Sequence, residues 1–160
     1  MTQRVSVAAL QLDLDRRSPA GCAIALHIRF TTPTFMFQTY SKRWMDQYSA
    51  SGLVLHDPVA RWGLHSVGRI RWADLEAIDT EGVLERAKDF GLMNGVAISI
   101  LISGSRSIAG FARADRDYDE IEMEELESIL ALLHRETIDQ GRLSKSDREA
   151  LTQLSIQLTR

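Results

Sequence analysis

The chain has 160 residues, of which 44% are hydrophobic and 26% are charged, and its formal net charge is −3. This composition is that of an ordinary globular protein and excludes disordered and fibrous classes, while the length suits one domain with a single core. The single cysteine, Cys22, excludes an internal disulfide and fits a reducing, cytoplasmic location. The sequence shows no membrane-helix run of roughly 20 apolar residues, no signal peptide and no basic cluster typical of DNA binding.

The first half of the chain mixes helix and strand patterns. Apolar residues at helical spacing predict an N-terminal helix, and an alternating apolar pattern then predicts two strands separated by a turn at Pro33. Ser41 is typical of a helix N-cap, Gly52 of a stop signal, and Asp57 followed by Pro58 of the start of a further helix. The predicted elements are a helix at 4–17, strands at 23–30 and 35–39, a helix at 41–50 and a helix from 57 onward.

The second half of the chain carries a hairpin pattern and a long helix. Alternating isoleucines before a Ser-Gly turn predict a β-hairpin at the centre of the sheet, and an acidic first turn with an apolar stripe predicts the long helix, ended by Gly141. The predicted elements are an extended segment at 70–72, a helix at 81–90, strands at 96–102 and 107–114, and a helix at 118–140. Together they predict an α/β (α+β) fold, an α-β-α sandwich whose central antiparallel sheet of about five strands is flanked by helices.

One group of aromatic and acidic residues indicates a binding site. Tyr40, Trp44 and Tyr48 recur every four residues, so on a helix they would form one stripe along a single face, and Asp57 and Trp72 follow. Phenol and indole side chains make a pocket that is apolar but carries a few directed hydrogen-bond donors. Pockets for small molecules are usually built in this way.

The spacing Y-x3-W-x3-Y-x8-D-P, with Trp72 fourteen residues after Pro58, resembles the autoinducer-binding domain of LuxR-type quorum-sensing regulators. The segment FGLMNGV at residues 90–96, which precedes the predicted hairpin, is similar to the family's central hairpin. The resemblance covers most of the chain. It implies the sensory half of a transcription regulator, in which a buried ligand completes the core and stabilises a homodimer, with no metal and no other cofactor.

The resemblance also implies roles for the five residues toward an N-acyl homoserine lactone. Trp44 would donate its indole N–H to the lactone carbonyl, Asp57 would accept the amide N–H, and Tyr40 would donate its hydroxyl to the acyl carbonyl. Tyr48 and Trp72 would pack against the acyl chain and the ring. Such a division is physically reasonable because each polar ligand group that lost water without finding a partner would cost about 1–3 kcal/mol.

Each residue of this group also has a purely structural interpretation. An aspartate before proline at a helix start is commonly only an N-cap, and aromatic residues at four-residue spacing are commonly core residues. The joint spacing favours the functional interpretation for Trp44 and Asp57 first, then for Tyr40 and Tyr48, and least for Trp72.

The chain departs from the family's pattern at two places. Ser99 stands where relatives often have proline, and the strand at 107–114 lacks the Ser or Thr that relatives often place near the acyl carbonyl. Arg113 alternates along the strand with Phe111, and both could face the pocket or the other side of the sheet. An inward-facing Arg113 would favour a polar or acidic acyl part, although a charged side chain more commonly faces solvent. These departures leave open a ligand other than a standard long-chain lactone.

The end of the chain resembles the beginning of a second domain. Residues 143–151, LSKSDREAL, are similar to the opening of the helix-turn-helix domain that follows the sensory domain in this family. We therefore divide the chain into an autoinducer-binding domain at 1–141 and, at 142–160, a linker with the start of a truncated or missing C-terminal domain. Contact with DNA would be made only by that C-terminal domain.

Other classes of function are less well supported by the sequence. His56 and Asp57 are adjacent and would point to opposite faces, no serine or cysteine lies in a nucleophile elbow, and no histidine pair has H-x3-H spacing, so an enzyme is not expected. Two alternatives remain open: a sensory domain for a different small metabolite, and a domain without a DNA-binding part that acts by forming mixed dimers with a full-length regulator.

Overall fold

The computed structural model describes residues 6–139, 141 and 143–158, with side chains described as far as Leu151. In chain order, the elements are α1 (Val7–Arg16), β1 (Gly21–Arg29), β2 (Thr32–Gln38), α2 (Lys42–Ala50), α3 (Pro58–His65), β3 (Gly68–Arg71), α4 (Val83–Lys88), β4 (Asn94–Ile102), β5 (Ser105–Arg113), α5 (Glu120–Thr137) and α6 (Lys145–Leu158). Two short 3-10 helices, Leu53–His56 and Trp72–Ile78, connect α2 to α3 and β3 to α4. None of the described helices is long and apolar enough to cross a membrane.

The five strands form one antiparallel sheet in the order β2-β1-β5-β4-β3. Helices cover both faces, which confirms the predicted α-β-α sandwich, and β4 and β5 occupy inner positions as predicted. Their turn is tight because Ile102 pairs with Ser105, leaving only Ser103 and Gly104, with φ of 54° and 75°, to connect the strands. Positive φ at both positions is the geometry of the two-residue hairpin turn that matches strand twist.

The sheet separates two hydrophobic cores of different character. On one face, Val96, Ile98 and Ile100 of β4 pack in a core with residues of α1, α5 and α6. On the other face, the alternate positions carry small residues, such as Gly95 and Ala97, beneath a core rich in aromatic side chains. We call this second side the aromatic face of the sheet. The period of two along β4 therefore assigns bulky residues to one face and leaves room on the other.

The structure differs from the sequence-based elements at four positions. Pro33 lies inside β2, paired with Ile28, and not in the turn. This is possible because β2 is an edge strand, whose outer side needs no ladder hydrogen bond. Trp72 begins a 3-10 helix and does not extend the strand. Helix α4 is shorter than the predicted helix at 81–90, and α5 ends at Thr137, four residues before Gly141. The predicted end of that helix at 140 lies outside the described residues, and so do positions 4 and 5 of the predicted first helix.

Helix α6 packs against the same core as α1 and α5. Leu143 and Leu151 are buried there, and the buried carboxylate of Asp147 accepts the backbone N–H of Val7 at 3.0 Å, which caps α1. A carboxylate near a helix N-terminus is favourable because it accepts hydrogen bonds from N–H groups that have no partner within the helix. The assignment of residues 142–160 to a separate domain stays a prediction.

A buried pair of histidines connects β1 to α5. The rings of His27 and His134 lie 4.3 Å apart between their centroids, and both side chains are at least 93% buried. His27 sits at a β-bulge with φ of 55°. Burial lowers the pKa of His27 to about 4 and also lowers the pKa of His134, so both imidazoles are neutral at physiological pH.

Candidate ligand-binding site

Helix α2 and the segment just before it place three aromatic side chains over the aromatic face. The side chain of Ser41 caps the helix by accepting the Trp44 N–H at 3.2 Å, as predicted. Trp44 is only 4% exposed and packs edge-on against Tyr48, with ring centroids 5.9 Å apart, and against Phe90 at 5.3 Å. Tyr40 lies before the helix and donates its hydroxyl to the Gly110 carbonyl over 3.4 Å, near the upper limit for a hydrogen bond.

Asp57 has two partners within the protein. One carboxylate oxygen accepts the Val59 N–H at 2.9 Å, which caps α3, and the other accepts the Tyr48 hydroxyl at 2.7 Å. Burial raises the pKa of the Asp57 carboxyl, and these hydrogen bonds oppose that effect. Burial likewise raises the pKa of Tyr48 and of Tyr40. The N-cap interpretation is therefore correct, but the carboxylate is also directed at the aromatic residues.

We expect Asp57→Ala to destabilise the ligand-free protein by roughly 2 kcal/mol, because it removes an N-cap and leaves the Tyr48 hydroxyl without its partner. Asp57→Asn should cost much less, because asparagine also caps helices through its oxygen and its amide N–H can donate to the oxygen of the Tyr48 hydroxyl. Urea unfolding of both variants measures the difference. Equal stability of the alanine variant and the wild type would contradict the double role of Asp57.

Trp72 packs directly on Gly95 of the sheet. A Cβ on Gly95 would come within 2.0–2.4 Å of three indole atoms, so only glycine allows this contact. A Cβ on Gly110 would meet the Tyr40 hydroxyl at 3.3 Å, the Cζ2 atom of Trp72 at 3.6 Å and Val59 at 3.8 Å, so the three side chains converge there. The indole nitrogen of Trp72 is buried and has no hydrogen-bond partner. Buried polar groups without partners are rare, which makes this donor a candidate for a ligand contact.

The structure brings the five predicted residues into one part of the molecule. The same hydrophobic cluster contains Tyr40, Trp44, Tyr48 and Trp72. Asp57 joins it through its hydrogen bond with Tyr48. We call these five residues the aromatic cluster.

Arg113 points away from the aromatic face. It pairs with Asp115 at 2.9 Å and Glu122 at 3.3 Å, and it lies over the ring of Tyr118. An inward Arg113 that would select an acidic ligand is thus excluded.

Sequence reasoning missed several residues that shape this region. Gly95 and Gly110 were noticed only as part of the hairpin, although glycine at alternate positions of buried strands signals close approach of another group. Phe90, which packs on Trp44, gave no signal apart from its place in the FGLMNGV segment. Gln38, whose side-chain oxygen is buried without a partner, was not singled out either.

Trp72 is one of the residues that line a cleft of about 170 Å³. Its rim is acidic, with Glu76, Asp79, Glu85 and Asp117 among the lining residues, and the other four members of the aromatic cluster do not line it. Asp79 is already engaged as the cap of α4 through the N–H groups of Val83 and Leu84. Within the described part of the chain, no group of three or more His, Cys, Asp or Glu side chains could hold a metal ion.

The structure is thus an α-β-α sandwich with an aromatic cluster between the helices and the sheet. The family model of the autoinducer binding domain matches residues 25–140. The chain therefore belongs to the autoinducer-binding domain family of LuxR-type quorum-sensing regulators. Domains of this family sense ligands and are not enzymes.

Two curated relatives are transcriptional activators. The chain is 30% identical over 93 residues to transcriptional activator protein VanR of Vibrio anguillarum and 34% identical over 92 residues to transcriptional activator protein SolR of Ralstonia nicotianae. These matches cover 56% and 57% of this chain but 39% of each activator. The chain thus spans less than half the length of these relatives.

Solved structures show the same fold at low sequence identity. SdiA in complex with octanoyl-rac-glycerol superposes with a TM-score of 0.59 at 20% identity, over 92% of this chain and 67% of that chain. CepR2 from Burkholderia cenocepacia, described as an N-acylhomoserine lactone dependent LuxR family transcription factor, gives a TM-score of 0.60 at 15% identity, over 83% of each chain. At these identities the likeness supports the fold alone.

Proposed function

We propose that this domain binds an N-acyl homoserine lactone-like signal within the aromatic cluster. The observation that carries the proposal is the buried, unpartnered indole N–H of Trp72 beside buried aromatic side chains and the carboxylate of Asp57. A lactone with an amide and an apolar tail supplies acceptors, one donor and apolar surface to such a site. The structural neighbour CepR2 is described as N-acylhomoserine lactone dependent, and the same class of ligand is proposed here.

The proposed contacts are compatible with the hydrogen bonds of the unliganded protein. An ionised carboxylate offers about four acceptor positions, and Asp57 uses two for Val59 and Tyr48, so it can also accept the ligand's amide N–H. The long Tyr40 contact to Gly110 can be exchanged for a bond to the acyl carbonyl. Trp44 donates to the lactone carbonyl in this proposal, and Tyr48 packs against the tail. Trp72 packs against the ring and donates its unpartnered N–H to an acceptor on the ligand's head.

Binding is proposed to stabilise the folded domain and its homodimer in the cytoplasm, and contact with DNA is made by a C-terminal domain. A ligand that binds only the native state stabilises it by about 2.7 kcal/mol at a hundredfold excess over Kd. For a domain of this size that corresponds to a rise of roughly 5–10 °C in Tm.

Thermal denaturation with added N-hexanoyl, N-octanoyl and N-dodecanoyl homoserine lactone tests the proposal. We expect at least one lactone to raise Tm by several degrees, and Asp57→Asn or Trp44→Phe to abolish that rise while the ligand-free Tm changes little. Asp46→Asn, at an exposed position of α2, is the matched control and should retain the full response. A full response in either site variant would show that the named site is wrong.

The two alternatives to a lactone sensor give different results in the same series. Octanoyl glycerol belongs in the panel because a structural neighbour, SdiA, forms a complex with octanoyl-rac-glycerol. A response to it and to no lactone would favour a different metabolite. A stable protein that ignores all small molecules but forms heterodimers with a full-length regulator on co-expression would favour the mixed-dimer function.

A further inference from the structure

A row of small residues crosses the aromatic face from the aromatic cluster toward the sheet edge. Ala97 pairs with Gly110, Gly110 pairs with Ala23, and Ala23 pairs with Gln38. We call Ala97, Gly110 and Ala23 the small-residue row. The cluster residues Tyr40 and Trp72 lie at Gly110, in the middle of the row, and Gln38 stands at its β2 end.

Two buried polar atoms on this face lack hydrogen-bond partners. They are the indole nitrogen of Trp72, which is a donor, and the side-chain oxygen of Gln38, which is an acceptor. Phe37, which precedes Gln38 in β2, and Ile24, its partner in β1, belong to the core on the opposite face of the sheet. Because side chains alternate along a strand, the Gln38 side chain lies on the aromatic face. A buried polar atom without a partner is unfavourable, and a ligand that supplied the partner would relieve the penalty.

The direction along α3 is closed to a ligand tail. The neighbouring row contains Ile108, whose side chain lies within 2.6–2.9 Å of the place where a Cβ of Gly63 would be. The Arg106 guanidinium donates to the carbonyls of Gly63 and Ser66 at 2.8 and 2.7 Å, and the Ser99 hydroxyl donates to Gly63 at 2.7 Å. These bonds hold the C-terminal end of α3 against the sheet. For a tail that starts at Gly110, the small-residue row leaves the direction across the strands toward Gln38.

We infer that the ligand of this domain carries a hydrogen-bond donor at the far end of its tail, and that the side-chain oxygen of Gln38 binds it. The inference rests on the proposed function and adds the chemical class of the tail. Gly110 and Gln38 are separated by two strand spacings, or roughly 10 Å, which a medium-length acyl chain spans. Trp72 donates to an acceptor on the ligand's head at the other end of this path.

The test compares N-hexanoyl homoserine lactone with its ω-hydroxyhexanoyl analogue by titration calorimetry. We expect the hydroxylated lactone to bind roughly 3- to 10-fold more tightly to the wild-type protein, the gain of one net hydrogen bond. Gln38→Met keeps the length of the side chain and removes the acceptor, so it should abolish this preference. Gln47→Met, at an exposed position of α2, should preserve it. Trp72→Phe should weaken both lactones by the same factor.

Equal affinity of the two lactones for the wild-type protein, or a preference that persists in Gln38→Met, would overturn the inference and leave the lactone sensor intact. The wild-type comparison decides the matter even if the variant fails to fold. Binding of neither lactone, nor of the longer ones, would remove the proposed function and the inference with it.

Discussion

Gly95→Ala is expected to destabilise the protein by roughly 3 kcal/mol, the upper range for overpacking a filled core. The added Cβ would lie 2.0–2.4 Å from three ring atoms of Trp72, so the indole must leave its place on the sheet. Because Trp72 is only 7% exposed and packs in the aromatic core, that movement disturbs the whole cluster. Urea unfolding monitored by tryptophan fluorescence measures the loss, which is a large part of the stability of an ordinary domain.

Two controls separate the Trp72 contact from a general effect of alanine. Gly141→Ala adds the same methyl group at an exposed position and should change the free energy of unfolding by less than about 1 kcal/mol. In a Trp72→Leu background, Gly95→Ala should cost much less, because the clashing ring atoms are gone. An undiminished cost in that background would show that the backbone, and not the indole, requires glycine.

Stability is also expected to fall by roughly 3 kcal/mol as the pH is lowered from about 6.5 to about 4, because of the buried histidine pair. Burial lowers the pKa of His27 from 6.5 in the unfolded chain to about 4 in the folded protein. Between these values the unfolded chain binds a proton that the folded state rejects, so the free energy of unfolding decreases with decreasing pH and levels off below the folded pKa. Above pH 6.5 the contribution is complete and constant.

The hydrogen bonds around the pair suit neutral rings. Nδ1 of His27 lies 2.7 Å from the Ser105 hydroxyl and Nδ1 of His134 lies 2.7 Å from the Ser107 hydroxyl. Nε2 of His134 can only donate to the carbonyl of Ile102, so its Nδ1 is the acceptor of the Ser107 hydroxyl. Protonation of both histidines would place two positive rings 4.3 Å apart in a buried site.

Urea unfolding at several pH values checks this expectation in the wild type and in His27→Gln. The variant should lose most of the slope between pH 6.5 and 4, whereas His65→Gln, at an exposed position, should keep it. The buried Asp57 acts in the opposite direction, because its raised pKa lets the folded state take up a proton more readily. Its effect is common to both proteins and cancels in the comparison. The same slope in His27→Gln and the wild type would exclude the histidine pair as the cause.

Much of the fold follows from rules that act over a few residues. Ser41 and Asp57 cap their helices as predicted, and the Ser103–Gly104 turn joins the two strands whose alternation was visible in the sequence. The capping box of Asp119 and Glu122 begins α5, whose acidic first turn was also visible. The boundaries that were wrong, such as Pro33 in the turn, depend on neighbours that are distant in sequence, since an edge strand tolerates proline and an inner strand does not.

The features of the candidate site can likewise be divided into those that follow from the local sequence and those that depend on tertiary contacts. The sequence by itself indicated the five residues of the aromatic cluster, through a spacing that resembles the family's pattern. It also determined that Asp57 caps a helix, because that relation is fixed within one turn. Only the tertiary structure decided that Tyr48 is hydrogen-bonded to Asp57 and that Trp72 packs on Gly95. It also decided that Arg113 faces away from the aromatic cluster and that His27 contacts His134. These contacts depend on the register between strands and on helices packed across the sheet, and a shift of one residue would turn every strand side chain to the other face.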